Sequence, residues 1–383
     1  MHARLIAVVQ RATLRRGPAK GLRWQDRPLA SSGHMEVKRV EQRMGEEFTG
    51  KRNKRGDWTP GEPLHIAPVF VWPLKPLALL KYLFGYPGYF LPWGIFYMAV
   101  PIVTWAYFTP AMADMKIFAP GWIAYILFRN MILITAVIGL WQGWLHWKKA
   151  QGTDWKYTTK WFARDNPIFL FRNQTLDNLF WTYVSALPIW TAFEVLTMWL
   201  YANAYIPYVS PSEHPIYFVF MMVLVPLLRE THFYLIHRLI HWGPFYNWVH
   251  YLHHNNVDPG PVSGLAMHPV EHLLYWTGVM LHWVIPSHPI HALFHLQHAA
   301  ITPAQGHAGF ERVVISGSLQ VKTGDYFHYL HHKYFECNFG GDGPVNLDRA
   351  FGTFHDGTEA ASERMNERFL VRAAQKAAAE KGS

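Results

Sequence analysis

Cysteine and charge are both scarce in this 383-residue chain. The single cysteine, Cys337, excludes an intramolecular disulfide, a cysteine-based zinc site and an iron–sulfur cluster. Charged residues make up 16% of the chain, against about 25% in an average soluble domain. Half of the residues are hydrophobic and 16% are aromatic, with 18 tryptophans. This combination is typical of a membrane protein, because lipid penalises charge and the membrane interface favours amphipathic rings.

Positive charge is concentrated at the N-terminus. Residues 1–56 contain 14 Lys/Arg and 5 Asp/Glu, a net charge of +9, whereas the rest of the chain contains 21 of each. This arm lacks the interleaved aromatic residues of a nucleic-acid stacking platform, so we predict no nucleic-acid partner. A basic segment ahead of apolar spans instead follows the positive-inside rule or contacts anionic headgroups. We predict a disordered cytoplasmic arm over 1–63 without a catalytic role, in which residues 1–34 are either native sequence or a targeting segment.

The chain contains several segments long and apolar enough to cross a membrane, which takes about 20 residues. Four windows qualify: 88–108, 121–145, 179–201 and 215–236. The second window is interrupted by Arg129 and Asn130, and the third contains Glu194. Residues 64–84 are also apolar, but proline and lysine residues break them. We therefore predict about four transmembrane helices, preceded by an interfacial or re-entrant segment.

Loop charges predict the orientation of these spans. The loop 146–178 contains six Lys/Arg and three Asp, so this loop and the basic arm are predicted to be cytoplasmic. Four spans then place both termini and the active site on the cytoplasmic side. The predicted fold is an all-α integral membrane protein with a cytosolic, helical, histidine-rich metal-binding cap. Its regions are the arm 1–63, the membrane region 64–236, the histidine-rich catalytic region 237–355 and a helical tail 356–383.

Histidine is the residue in excess, and 17 of the 23 histidines lie within 232–332. Three motifs space them at i, i+3 or i+4, which places imidazoles on one face of a helix. These motifs are HRLIH, with His237 and His241; HYLHH, with His250, His253 and His254; and a second HYLHH, with His328, His331 and His332. Neutral imidazole is a common ligand of iron and zinc. Eight imidazoles exceed the capacity of one ion, so the motifs predict two metal ions.

Further candidates flank the three motifs. His268 and His272 have helical spacing in HPVEH, and His307 lies in QGHAGF. His232 precedes His237 by five residues and points about 140° away on a regular helix, so it joins the site only if the helix is irregular. Glu230 is a candidate catalytic residue that orients an imidazole or bridges the metals; the alternative is an ion pair with a neighbouring arginine. Glu271 suggests the same role more weakly.

The histidine motifs and their flanking text resemble the sterol desaturase and fatty acid hydroxylase superfamily. The resemblance runs over about 215–356 and includes the order HxxxH, HxxHH, HxxHH, the HPxE element and the text around Asn338, Gly340 and Asp348. It implies that the eight motif histidines hold a dinuclear centre, taken as di-iron, and that His307 matches a single histidine often found between the last two motifs. It also implies the use of O₂ as co-substrate to hydroxylate or desaturate a lipid. Glu230 stands where many relatives place an aspartate, and the resemblance does not cover the basic arm.

Several functional questions stay open on sequence alone. Electrons are predicted to come from an external haem, ferredoxin or flavin donor, because the chain has no GxGxxG motif, haem motif or cysteine cluster. The lipid is either sterol-like or fatty-acyl, and both hydroxylation and desaturation fit. Zinc is a possible metal in the purified protein, since it accepts the same imidazoles. A zinc-dependent membrane lipid hydrolase and a histidine-rich metal transporter are the alternative functions.

Overall fold

The computed structural model describes residues 50–316, 319–341 and 345–382. Most of the predicted N-terminal arm lies outside the described residues. Its last part forms an antiparallel hairpin of β1 (Gly50–Arg52) and β2 (Trp58–Pro60). The Trp58 side chain is buried, and its backbone N–H donates to the Tyr157 carbonyl oxygen at 2.8 Å. The chain therefore has packed structure from residue 50, inside the range that composition assigned to a disordered arm, because Trp58 and the side chains of Arg52 and Asp57 attach this segment to the rest of the protein.

Each of the four predicted membrane windows contains a helix, and a fifth, shorter helix lies in the preceding segment 64–84. The helices are α1 (Pro76–Phe84), α2 (Trp93–Phe108), α3 (Pro120–Trp147), α4 (Gln174–Ala202) and α5 (Pro215–Ile240). Pro120 and Pro215 occupy the first turns of α3 and α5, where a missing N–H removes no helical hydrogen bond. Within the described residues, α3, α4 and α5 are long and apolar enough to cross a membrane, whereas α2 has only 16 residues. A membrane protein is confirmed as the fitting class, and a fourth span stays a prediction.

Most of the surface of these long helices faces outward and is apolar. In the most hydrophobic 18-residue stretch of each of these helices, only 33–44% is buried inside the protein. Leu140 on α3 and Ile216 on α5 are 74% and 85% exposed. Such surface is costly in water and favourable in lipid hydrocarbon.

The polar residues that interrupt the second and third windows meet inside the bundle. Arg129 on α3 forms a buried ion pair with Glu194 on α4. The Asn130 side-chain amide donates to the other Glu194 carboxylate oxygen at 2.9 Å. Pairing and hydrogen bonding offset the cost of removing both charges from water. The interruptions are therefore compatible with helices that cross a membrane.

The chain after α5 is largely helical, and one of its helices is buried among the long helices. Its main helices are α6 (Pro269–Trp276), α7 (Pro289–Gly306), α8 (Tyr326–Tyr334) and α9 (Glu359–Gly382). Its short helical segments are Gly243–Phe245, Tyr246–His250, Tyr251–His254, Pro261–Leu265, Thr277–Met280, Leu281–Val284 and Leu347–Ala350. An antiparallel hairpin of β3 (Arg312–Ser316) and β4 (Leu319–Lys322) separates α7 from α8. Helix α7 is buried along most of its length and contacts α2, α3, α4 and α5. The all-α class is confirmed, with two small hairpins added.

Candidate metal centre

Nine buried or part-buried histidines converge from four parts of the chain. The first motif lies at the C-terminal end of α5, where the helix turn brings His237 and His241 to the same side. The second motif occupies the short helical segments up to residue 254, and the third lies on α8. His307 directly follows α7. The spacing places the members of each motif within one or two turns of a helical segment, and tertiary structure brings the motifs together.

The nine imidazoles divide into two groups, each with ligand nitrogens within 4.8 Å of one another. The first group contains His237, His241, His250, His254 and His331, and the second contains His253, His307, His328 and His332. Neighbouring Nε2 atoms are 3.1–3.2 Å apart in the first group and 3.1–3.3 Å apart in the second. Two nitrogens that each lie about 2.1 Å from one ion at a right angle are about 3 Å apart. The spacing fits one ion in each group.

The tautomers of these histidines show why a cation fits. The Nδ1 atom of His237 lies 2.6 Å from the Phe339 carbonyl oxygen, and a carbonyl only accepts, so the proton is on Nδ1. His250 likewise donates from Nδ1 to the Glu271 carboxylate at 2.8 Å. The two Nε2 atoms, 3.1 Å apart, therefore both present bare lone pairs to each other. Lone pairs repel at this distance, and a metal ion between them turns the repulsion into two bonds.

The second group repeats this arrangement. His307 and His253 donate from Nδ1 to the carbonyl oxygens of Pro303 and Ala266, at 2.9 and 3.3 Å. Their Nε2 atoms face each other at 3.3 Å. The residues present therefore fit a second ion in the same way, since both lone pairs are free to bind it.

Acidic side chains outside the two groups hold the ligand segments in place. Asp325, at the start of α8, accepts hydrogen bonds from the Gly309 backbone N–H at 2.7 Å and from the Tyr157 hydroxyl at 2.7 Å. It therefore joins the loop after His307 to the helix that contains the second HYLHH motif. Burial raises the pKa of Asp325 to about 8. Asp348 has the same kind of role, since it accepts from the backbone N–H of Phe339 at 2.9 Å.

Burial keeps the imidazoles in the form that binds metal. Loss of hydration lowers the pKa of His253 to about 4 and that of His331 to about 3. The same cause lowers the pKa of His250, with the neighbouring imidazoles adding to it. Because only neutral imidazole offers a lone pair, protons compete weakly with metal at this site near neutral pH.

Three of the predicted metal ligands lie outside both groups. Helix α5 is regular at His232, so this imidazole points away and its Nε2 lies 3.0 Å from the Thr277 hydroxyl. His268 precedes α6 and accepts the Val270 backbone N–H at 3.2 Å. His272 bonds through both ring nitrogens, to the Ser185 hydroxyl at 2.8 Å and the Leu265 carbonyl at 3.1 Å. Because none of these three imidazoles belongs to either group, we omit the three residues from the proposed ligand set.

Glu230 makes the contact that the sequence analysis gave as the alternative, an ion pair with a neighbouring arginine. It forms a buried ion pair with Arg229 and accepts the Gly341 backbone N–H at 3.1 Å, rather than binding an imidazole of either group. Glu271, the weaker candidate, is the acid that contacts His250. Sequence separation gave no means of choosing between the two. Helix α6 places Glu271 beside the second histidine motif, whereas Glu230 lies about two helical turns before His237 and pairs with Arg229.

A cavity of about 430 Å³ lies beside the centre. Its inner end is lined by five of the nine histidines, His237, His250, His253, His307 and His328. Apolar side chains that include Phe233 and Phe294 line the walls, which lie between α2, α5 and α7. The volume is within the usual range for a small-molecule site, and the lining suits an apolar ligand with one end at the histidines.

Fold and site together define a helical membrane protein with two histidine groups suited to a dinuclear metal centre. Residues 221–353 match the model of the family described as Fatty acid hydroxylase. This part of the chain is thus similar to the sterol desaturase and fatty acid hydroxylase superfamily, and the resemblance predicted from the histidine motifs is confirmed.

Curated relatives agree with this assignment. C-4 methylsterol oxidase erg25 of Schizosaccharomyces pombe is 29% identical over 128 residues, which are 32% of this chain and 43% of that protein. Delta(7)-sterol 5(6)-desaturase ERG3B of Gibberella zeae is 28% identical over 31% of this chain and 36% of its own length. Human fatty acid hydroxylase domain-containing protein 2 is 29% identical over 37% of this chain and 40% of its own length. The chain thus spans less than half the length of these relatives. No solved structure matches the chain.

Proposed function

We propose that this protein is an O₂-dependent lipid hydroxylase or desaturase that acts on a C–H bond of a sterol-like or fatty-acyl lipid. The observation that carries the proposal is the convergence of unprotonated imidazole nitrogens into two groups at the end of an apolar cavity. The names of the relatives, which include a methylsterol oxidase and a sterol desaturase, support the same chemistry.

The nine histidines would hold two iron ions, five binding one ion and four the other. When bound, the irons supply the activation of O₂ that cleavage of an unactivated C–H bond requires, which no side chain provides. The protein's contribution is to fix the imidazoles. Backbone carbonyls and Glu271 hold the Nδ1 protons of five of the nine, so the Nε2 atoms of these five are aimed inward before metal arrives; the five are His237, His250, His253, His307 and His331.

The cavity would orient the lipid and exclude water. Phe233, Phe294 and Met267 line it beside the histidines, so the lipid's apolar part replaces water there. Two electrons per turnover would come from an external haem, ferredoxin or flavin donor, which we place on the cytoplasmic side with the histidine groups. Both chain termini are proposed to lie on that side too.

Metal analysis of anaerobically purified protein tests the proposal. We expect about two iron ions per chain, one for each histidine group. His268→Ala is a matched control, because it removes an imidazole outside both groups and should retain the metal. His253→Ala removes a ligand of the second group and should lower the iron content. Zinc alone in an active preparation would favour the lipid hydrolase instead, and retention of full iron content in His253→Ala would contradict the ligand assignment.

A further inference from the structure

The cavity has an outer end that the histidine chemistry does not involve. Of the residues that line it, Pro87, Leu91 and Gly324 are exposed, whereas the histidines at its inner end are buried. The mouth therefore lies between the loop 85–92, which joins α1 to α2, and the end of the β3–β4 hairpin. A ligand from outside reaches the histidines by passing this loop.

Helix α1 has two different faces at this mouth. Leu77, Leu80 and Phe84 lie on one face and are 75%, 55% and 64% exposed. Tyr82, on the opposite face, lines the cavity. The apolar exposed face is the reverse of what a helix in water presents, since such helices turn their polar side outward. The medium that contacts this exposed face of α1 is therefore apolar.

The position of α1 in the chain identifies this neighbour as a lipid bilayer. The loop 85–92 leads directly into α2, whose first turns expose Ile95 and Phe96. The exposed face of α1 thus continues the apolar surface of the membrane region. Trp72 is 85% exposed, and Lys81 lies at the edge of the exposed face of α1. Tryptophan and lysine are residue types that lie at the headgroup level of a bilayer, next to apolar residues that enter the hydrocarbon.

Three hydrogen bonds attach the rim of the mouth to the rest of the protein. The Tyr89 hydroxyl donates to the Val223 carbonyl on α5 at 2.7 Å. The Trp93 indole N–H donates to the Lys322 carbonyl at the end of β4 at 2.8 Å, and the Tyr86 hydroxyl lies 3.4 Å from the Gln320 carbonyl. The rim is therefore anchored on both sides of the opening, and α1 itself has no buried residue.

We propose that α1 and the loop 85–92 are embedded in the bilayer and form the rim of a lateral entrance through which a membrane lipid reaches the cavity. The outer face of α1 contacts lipid at the boundary of headgroups and acyl chains, and Tyr82 and Leu91 guide the lipid inward. The identity of the occupant rests on the proposed function, whereas the embedding of α1 does not.

The first experiment measures the depth of α1. A bimane fluorophore is attached to Leu80→Cys, and the protein is placed in phosphatidylcholine vesicles with brominated acyl chains. The native Cys337 is only 2% exposed, so it should not react, and unmodified protein checks this. We expect strong quenching at position 80 and little at Glu359→Cys, a control at the start of α9. Equal, weak quenching at both positions would overturn the embedding of α1.

The second experiment follows lipid entry. Protein in vesicles that contain photoreactive cholesterol, or in a separate sample a photoreactive fatty acid, is irradiated, and adducts are located by mass spectrometry. We expect adducts on the residues of α7 that line the cavity, among them His298, Thr302 and Gln305. Leu91→Trp narrows the mouth and should reduce them several-fold, whereas Leu370→Trp, on the exposed face of α9, should not. Adducts unchanged by Leu91→Trp, or absent with both probes, would overturn the entrance.

These measurements need neither metal nor turnover. A bilayer entrance therefore stands if metal analysis contradicts the oxygenase, and it can fail while the oxygenase assignment survives.

Discussion

Glu271 gives the sharpest test of how the protein prepares its metal ligands. Its carboxylate accepts the Nδ1 proton of His250 at 2.8 Å, and both side chains are buried. The contact fixes the tautomer of His250 and makes its Nε2 a better donor to metal. We predict that Glu271→Gln and Glu271→Ala both weaken metal binding by the group that contains His237 and His250.

The expected size follows from what each variant retains. Loss of such an acceptor costs about 10- to 100-fold in metal affinity, or about 1.4–2.7 kcal/mol. Glutamine keeps a neutral acceptor of the same length, so its effect should be near tenfold. Alanine removes the acceptor and frees the ring to rotate, so its effect should be nearer a hundredfold.

The assay is a competition titration of the metal-free protein against a chromogenic chelator. Glu359→Gln, which removes a carboxylate at the start of α9, is the control and should bind like the parent. The melting temperature of the metal-free Glu271→Gln protein should not fall, because Oε2 of Glu271 is buried without a hydrogen-bond partner among the described residues and the charge is costly there. Affinities of both variants within twofold of the parent would refute the orienting role.

Three further predictions concern the ligands, pH and topology. His253→Ala and His331→Ala should abolish activity yet leave the protein in the membrane, because the spans insert through apolar contacts. Membrane fractionation combined with a turnover assay checks this prediction. Activity in either variant would remove that residue from the ligand set. The metal-free protein should lose stability as pH falls from about 6.5 towards 4. Burial lowers the pKa of His253 and His331 below the ordinary 6.5, so in this pH range only the unfolded chain takes up protons. A melting temperature that stays constant over this range would contradict the prediction. Cysteines at Gln151 and Glu359 should be protected from an impermeant reagent added outside intact cells, whereas one at Ser212 should react; labelling of the first two would contradict four spans.

Local sequence was sufficient to predict the helices and the members of each histidine motif. A spacing of three or four residues puts side chains on one helix face whatever the rest of the chain does. The sequence therefore predicted that His328, His331 and His332 lie on one helical segment, which is α8. The predicted window 88–108 was less exact at its start, since α2 begins only at Trp93.

The distribution of ligands between two metals was not readable from the motifs. His331 joins the group of His237 and His241, whereas its neighbour His332 joins that of His307. Adjacent residues on a helix point about 100° apart, so the packing of α8 against the other segments decides which group each one meets. The sequence predicted two ions from the number of imidazoles, and the motifs alone did not divide them.

The roles of the acids depended on tertiary structure even more strongly. Glu230 and Glu271 both lie near histidines in the sequence, yet only Glu271 contacts one of the nine. Arg129 and Glu194 read as separate interruptions of two apolar windows until α3 and α4 pack and pair them. Composition and periodicity are properties of the local chain and determined the membrane class, the helices and the ligand types. The partner of a buried charge or imidazole is set by contacts between distant segments, and only the folded structure decided it.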